Sequence, residues 1–377
     1  MPQVTFQNTD GLTVEVLRNT MIETVDQMER INIGTEDGYA SASSIFPMVD
    51  MDAPEEAYYT FGGVRGGMPA AHPDAESPIG TLTLPSKRTF ETHSYKEKIN
   101  PKKEVEVEMD RTPFSLFQYG ASYLNIGTWL TRELIAWRGD EYIDGLIGQY
   151  GDTPHPDLDQ TNNVDTPSTA WSDTANATPY EDVEALAYQV KDNGRLLNNS
   201  PPQPVIWMPP SLLRDMRLNQ DLRSKISDNR DKTLGVSDIE NLLADDISSV
   251  QQVMVNVPRT NANGEFIDES GDVVDDADDA VLDNVLEPYD PNADAVKRHA
   301  IIGRPGANSA FMPWFLDKLT TKADEAPMTS DLSIDTQRGY FTQMWAGDDP
   351  ISTWMKAGQD IGFHIRRPEN WAILSDL

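Results

Sequence analysis

An α+β fold is what this 377-residue sequence predicts, on three observations. Residues 110–151 carry apolar side chains at Leu116, Tyr119, Tyr123, Ile126, Leu130, Leu134 and Trp137, steps of three or four that draw one stripe along a helix. Residues 51–109 instead alternate by two and are interrupted by glycine and proline, as strands joined by irregular excursions are. From residue 179 onward, helical and strand patterns alternate at lengths that suit a sheet with helices packed on it.

Charge narrows the function classes. There are 62 acidic residues against 30 basic ones, a formal charge of −32. Nucleic-acid phosphates and anionic membranes both demand a basic surface, which argues against direct binding to either. The aromatic content and apolar patterning are those of a folded chain. Asp outnumbers Glu and Arg outnumbers Lys. That balance suits folding in concentrated salt, where a short Debye length screens self-repulsion, and an extreme halophile is the expected host. An acidic mesophilic protein is the alternative. With no cysteine, there is no disulfide, thiolate metal site or cysteine nucleophile. No run of about 18 apolar residues occurs, and the opening MPQVTFQNTDGL lacks a basic-then-apolar signal, so the chain is expected to be soluble and not secreted by that route.

In chain order, Leu12, Val14 and Val16 alternate like a strand, Met21, Val25 and Met28 suggest a short helix, and 34–44 is turn-rich, so 1–50 reads as an extended arm. FGGVRGG at 61–67, followed by Pro69, Pro73 and Pro78, marks a loop or excursion. Two alternating stretches follow, TLTLPSKRTFETHSY and KKEVEVEMD. In the second, Val105, Val107 and Met109 oppose Glu104, Glu106 and Glu108, a half-buried strand. Lys96, Lys98, Lys102 and Lys103 cluster here, either against acidic surface on a neighbouring subunit or on the solvated face of a hairpin. With Pro113 in its first turn, the long helix is expected to reach Gly148, about 50 Å at 1.5 Å per residue, with a bend at Gly139. Heptads are not sustained, so it is a beam and not a coiled-coil strand.

After a loop at 152–178, Thr178-Pro179-Tyr180-Glu181 is a capping box opening a helix with Val183, Leu186, Ala187 and Val190 inward and a stop at Gly194. Residues 204–208 form an apolar strand. Pro209-Pro210-Ser211 starts a helix through Leu212, Leu213, Met216 and Leu222, and Ser237-Asp238-Ile239-Glu240 is a second capping box. A strand returns at 250–257. Residues 260–296 contain no Lys or Arg but a dense acidic set, DESGDVVDDADD. They read as a solvated insertion. A divalent cation site is the alternative, although the Asp-x-Asp-x-Asp-Gly spacing is missing. RHAIIGR (298–304) and NSAFMPWFL (308–316) are expected core strands. Alternating Leu332 and Ile334, a turn at 347–350, a short helix with Trp354 and a last strand at 361–365 complete the chain.

The chemistry is mostly negative. His72, His93, His155, His299 and His364 are scattered without a ligand pair. There is no Gly-x-Ser-x-Gly elbow, phosphate loop or dinucleotide fingerprint. No catalytic, cofactor-binding or metal-ligating residue is assigned, no cofactor is expected, and the chain is read as not an enzyme. Arg138-Gly139-Asp140 matches an adhesion tripeptide, but its place in a helical pattern makes chance the better account. Trp129, Trp137, Trp207, Trp314, Trp345 and Trp371 are core or interface aromatics.

The stretch 171–226, WSDTANATPYEDVEALAYQVKDNGRLLNNSPPQPVIWMPPSLLRDMRLNQDLRSKI, resembles the major capsid proteins of tailed viruses, which have the HK97-like fold. It has a similar Trp-x-Asp, a proline-started helix ending in Gly and Asn, an apolar strand, and a helix of leucines and basic residues. The tail from Gly339, with Trp345, Pro350 and a closing strand, is similar to the family's end. The acidic bias is closest in character to haloarchaeal tailed viruses.

The resemblance implies an HK97-like α+β fold. Its parts would be an N-terminal arm (1–50), an extended E-loop β-hairpin (51–104), a peripheral P domain with a long spine helix (105–178), an α/β axial A domain (179–326) with the acidic insertion 260–296, and a return to the P domain (327–377). It implies self-association as homo-hexamers and homo-pentamers into an icosahedral shell that encloses dsDNA without sequence-specific binding. The shell would be assembled in the host cytoplasm and would involve no membrane. Scaffold, portal and decoration proteins are further implied partners. Too few residues precede the E-loop to hold a cleaved scaffolding region, so a separate scaffold is expected. Lys87, Lys96 and Lys98 lie where some relatives cross-link to a neighbour's Asn, but no residue match supports that chemistry. Independently of the family, an arm and an excursion that cannot bury themselves make sense if neighbours cover them. So acidic a shell would repel DNA, leaving packaging to confinement and cations. An encapsulin-like nanocompartment and a halophilic enzyme with an unrecognised site are the rival readings.

Overall fold

The computed structural model of the chain describes residues 39–46, 48–51, 55–60, 86–100, 116–158, 163–195, 203–226, 234–261, 263–304, 313–318, 332–335, 340–348, 351–365 and 368–377. In order, β1 (Tyr39–Ala40), α1 (Ala42–Ile45), β2 (Met48–Met51), β3 (Glu55–Thr60), β4 (Ser86–Glu91) and β5 (His93–Ile99) precede the helix α2 (Leu116–Trp137). Then come β6 (Val164–Asp165), α3 (Pro179–Arg195), β7 (Val205–Met208), α4 (Pro210–Leu218), α5 (Gln220–Ile226), α6 (Val236–Leu242) and β8 (Ser249–Val253). β9 (Asn256–Pro258), β10 (Leu282–Asn284), β11 (Tyr289–Asp290), β12 (Ala295–Val296) and β13 (Ala300–Gly303) follow. The chain ends with β14 (Pro313–Lys318), β15 (Leu332–Asp335), β16 (Tyr340–Asp348), β17 (Ile351–Ile365) and β18 (Trp371–Leu374).

The first sheet runs β1-β8-β7-β13-β18-β6. Its central strands VIWM, AIIG and WAIL are buried throughout, yet they keep the period of two. Val205, Trp207, Ile301, Trp371 and Ile373 join one hydrophobic cluster with Phe46, Ile135 and Trp137. Ile206, Met208, Ala300, Ile302, Ala372 and Leu374 join a second, with Val183, Leu186 and Val190 of α3, Leu212, Leu213 and Met216 of α4, Leu222 of α5 and Ile239 of α6. A continuous apolar run is what a strand covered on both faces requires. The second sheet is built on the 15-residue β17. One edge of β17 pairs with β16 and then β14, while the other pairs with β5, with Ile361 opposite both Asp317 and His93. β2 runs parallel to β14, and β15 completes the far side. β3 and β4 form a separate two-stranded ribbon.

α2 lies on the second sheet. Gly120 permits the approach, since a Cβ there would stand 2.8 Å from Met355 Sδ. Further along, Arg132 Nε donates to Gln359 Oε1 at 2.7 Å, and Gln359 Nε2 donates to the Thr128 carbonyl at 2.9 Å, all buried. The packed face is therefore Leu124, Thr128, Trp129, Arg132, Ile135 and Ala136 together with Trp137 of the expected stripe, whose Leu130 and Leu134 are partly buried against the core while its Tyr123 is 52 % exposed. Polar residues can sit in the contact because their partners come from β17, which hydropathy along the helix does not register.

The helix is also shorter than expected: 22 residues, about 33 Å, ending at Trp137 where the sequence pattern runs on to Gly148. The break is complete at Gly139, whose φ is +73°. The N–H groups of Arg138 and Gly139 both reach the Leu134 carbonyl, at 2.8 and 2.9 Å. Asp140 then accepts the Tyr142 and Ile143 N–H groups, and the chain doubles back. Leu146 and Ile147 N–H groups donate to the Ala136 and Trp137 carbonyls at 3.0 and 2.8 Å, satisfying the helix end. Ile143, Leu146 and Ile147 are buried as their apolarity demands, from an irregular loop.

Other elements adjust the expectations. α3 starts at Pro179 as expected and runs through Gly194 to Arg195. The helix expected through Leu222 is two helices, broken at Asn219, whose side chain donates to the Ala177 carbonyl at 2.9 Å and accepts the Leu222 N–H at 3.0 Å. Asn219→Ala is expected to cost about 1–2 kcal/mol, read as a lowered denaturant midpoint, because it removes a cap and strands a buried carbonyl. α6 begins earlier than the motif at Ser237 suggested. Its N-cap is Gly235, whose N–H donates to Asp238 Oδ2 at 2.9 Å, while Glu240 accepts the Val250 N–H instead. The 250–257 strand divides between β8 and β9, which belong to different sheets. Trp354 lies in β17, opposite Trp345, and not in a helix. The last strand is β18, beyond the expected 361–365. The expected arm features at 12–28, the Gly-rich 61–67 and the strand at 105–109 lie outside the described residues.

Candidate functional site

The sequence assigned no catalytic, cofactor or metal residue, and the histidines do not converge. His93 stacks on Tyr142 with centroids 5.1 Å apart. His155 Nδ1 accepts the Asp157 N–H at 3.1 Å. His299 is 1 % exposed, and burial, with Lys297 and Arg138 nearby, pulls it down to about 3. Its Nδ1 stands 3.2 Å from Ser375 Oγ, a buried hydrogen-bonded pair. His72 lies outside the described residues. Among the described residues, no group of three or more His, Asp or Glu is placed to hold a metal ion, and no helix is long and apolar enough to cross a membrane.

The acidic stretch 260–296 is not one solvated excursion. Its first part turns on itself: Asp268 Oδ1 accepts the Ser270 and Asp272 N–H groups, and Asn261 Oδ1 those of Asn263 and Glu265. Its second part enters the core, with Asp283, Asn284, Val285, Leu286 and Asp290 buried. The cations that hold it flank the run. Arg259 grips Asp283 through two bonds of 2.8 and 2.7 Å, and Lys297 Nζ lies 3.0 Å from Asp290.

Between this stretch, β5 and the end of α2 is a cleft of about 360 Å³, lined by Tyr95, Arg138, Asp140, Arg259, Phe266 and Tyr289 among others. Its polar groups serve one another. Tyr95 donates to Asp140 at 2.6 Å, and burial and that carboxylate hold the phenol well above its usual range. Arg138 donates to the Val285 and Asn284 carbonyls, and burial draws its guanidinium down to about 10. The Arg138-Gly139-Asp140 tripeptide is thus a structural corner at the helix end. The corner is locked by hydrogen bonds from its guanidinium to backbone carbonyls and to its carboxylate from a phenol and two amides, and so joins elements.

A second polar centre escaped the sequence reading. Glu133 of α2 is fully buried and accepts the Ala42 N–H at 2.7 Å, the Ser43 N–H at 3.1 Å and the Trp137 indole N–H at 3.1 Å. Burial pushes it up to about 7, against the opposing pull of those N–H groups. The only signal was an acid inside an apolar helix stretch, LTRELIAW.

Outward-facing features fit contact better than chemistry. On β5 the odd residues meet α2, with Tyr95 on Asp140, Glu97 beside Gly127 and Ile99 beside Gly120. Lys96 and Lys98 point from the other face, both exposed, with Lys98 Nζ 3.8 Å from the Trp354 ring centre. Lys102 and Lys103 lie outside the described residues.

No family model and no curated protein sequence matches this chain. Solved structures do. A phage-related protein of Bordetella bronchiseptica superposes with a TM-score of 0.53 at 9 % identity, over 95 % of this chain and 96 % of that one. The chain has the HK97-like capsid fold. A virus-like particle from Pyrococcus furiosus is also similar, with a TM-score of 0.47 at 10 % identity over 96 % of this chain and 98 % of that one. So is the capsid of an empty GTA particle, with 0.48 at 13 % identity over 89 % of each. In this HK97-like chain, the long helix across the second sheet and the helix-covered first sheet are continuous parts of one fold.

Proposed function

We propose that the chain is the major capsid protein of a tailed virus, self-assembling as hexamers and pentamers into an icosahedral shell around a dsDNA genome, with a halophilic archaeon as host. The observation that carries this reading is the HK97-like fold over nearly the whole chain. In this reading, residues 1–50 are the arm, 51–104 the E-loop, 105–178 and 327–377 the P domain with α2 as its spine, and 179–326 the A domain. The β3–β4 ribbon suits an E-loop, since an isolated two-stranded ribbon is marginal in water and gains from a neighbour's cover. The −32 charge supports the halophilic host and a shell that encloses DNA without gripping it. Scaffold, portal and decoration proteins remain the partners such a shell would use, with assembly in the host cytoplasm.

Sizing in molar salt with negative-stain microscopy tests the reading. Megadalton shells or ring-shaped capsomers are expected, and a monomer or small oligomer would overturn it. Shells loaded with a protein cargo would point to a nanocompartment. Dialysis to low salt is expected to loosen the shells as acidic neighbours lose their screening; shells unchanged by it would contradict the halophilic part alone.

A further inference from the structure

Residues 39–51 tie the two sheets together. β1 pairs with β8 in the first, β2 pairs with β14 in the second, and α1 lies between. At that crossing Phe46 packs against Trp137, Phe363 and Trp371, with ring centroids 5.4, 5.4 and 5.8 Å away. The charge-bearing group at the junction among the described residues is Glu133, beside the hydroxyls of Ser41, Ser43 and Ser44, and it reaches across about ninety positions of sequence to the first N–H groups of α1.

Among the described residues, no cation offsets this carboxyl in the contacts it makes. The segment 39–46, YASASSIF, has no acidic, basic or histidine residue, and Tyr39 is its one titratable side chain. On α2, Arg132 is turned to Gln359 and Arg138 to the carbonyls of Asn284 and Val285. β17 meets α2 through Met355 and Gln359, which places its Lys356, Asp360 and His364 on the alternate face. A buried carboxylate without a cation is costly, and three N–H bonds with the Ser43 hydroxyl recover only part of that cost.

We infer that residues 39–46 are a proton-controlled latch between the two sheets: uptake of a proton by Glu133 tightens the segment onto α2, and loss of that proton loosens it. Release of the segment exposes the carboxyl to water, where the ion is at ease. The closed form therefore binds the proton more strongly than the open one. Its advantage is complete below the ordinary glutamate value of 4.5 and is lost as pH rises through about 7. The inference does not depend on the shell assignment, because it concerns a junction within one chain.

Hydrogen–deuterium exchange of the full-length protein in molar salt, from pH 6 to 8 and corrected for intrinsic exchange, reads the latch. Protection of the amides of 42–46 is expected to fall about tenfold across that range relative to amides of α3. Glu133→Gln, which cannot ionise, is expected to flatten the profile. Trp137→Phe, which removes one N–H donor, is expected to move the midpoint upward, and it serves if the glutamine variant does not fold. A flat wild-type profile, or a slope that persists in Glu133→Gln, overturns the inference.

Discussion

Replacing Trp371 by alanine is expected to lower the unfolding free energy by about 3–5 kcal/mol, the range for emptying a large aromatic site in a core. Trp371 is 0 % exposed and stacks on Trp207 with centroids 5.5 Å apart and planes 14° from parallel. It also meets Phe46, so its ring touches both the strand that crosses the first sheet and the segment that links the two sheets. Its own strand is pinned between β13 and β6, and its carbonyl accepts the Asn163 side chain at 2.6 Å. The backbone is therefore not free to collapse into the space an alanine leaves. Trp371→Phe keeps most of the ring and should lose about 1–2 kcal/mol. Denaturant unfolding in molar salt measures both. An alanine variant within 1 kcal/mol of wild type would mean that this cluster does not join the sheets as described.

Gly139→Ala should cost about 3 kcal/mol or more, and Gly264→Ala only about 1 kcal/mol, although the two backbones are nearly alike. Their φ angles are +73° and +79°. A methyl at Gly264 would have nothing within 4 Å, so it carries only the intrinsic cost of the left-handed region. A methyl at Gly139 would stand 2.3 Å from Gly145 N and 2.4 Å from Ile143 O, backbone atoms held in place by the return of the chain onto α2. Equal losses at the two positions would show that the turn at the helix end is free to open. The same comparison bears on the helix length, since the steric lock at Gly139 accompanies the end of α2.

The capsid-like fold was legible in particular stretches. Pro179 at a first helical turn fixes where α3 begins, because proline lacks only an N–H that the first turn leaves unpaired. The apolar 204–208 could only be a buried strand at that length, and it is β7. The turn expected at 347–350 falls where β16 gives way to β17, with Gly347 and Asp348 still paired, Asp348 opposite Ile351, and 349–350 outside the described residues. The short helix expected around Trp354 is strand instead, because MKAGQD carries little strand propensity of its own. Its extended form is imposed by β16 on one edge and β5 on the other. The acidic stretch misled for a similar reason: composition reports charge, while the burial of Asp283 and Asp290 depends on Arg259 and Lys297 lying just outside the run.

By itself the sequence determined the class of fold, the start of α3 and the period-two strands. All of these follow from side-chain periodicity, backbone stereochemistry and residue type, which are local. The tertiary structure alone decided where α2 ends, which of its faces is buried, which acids are paired, and that Glu133 sits uncompensated between two sheets. Each of these depends on partners that hydropathy along the chain does not register, from a few positions away, as with Asp290 and Lys297, to more than two hundred, as with Arg132 and Gln359, and only folding brings such groups within hydrogen-bond reach.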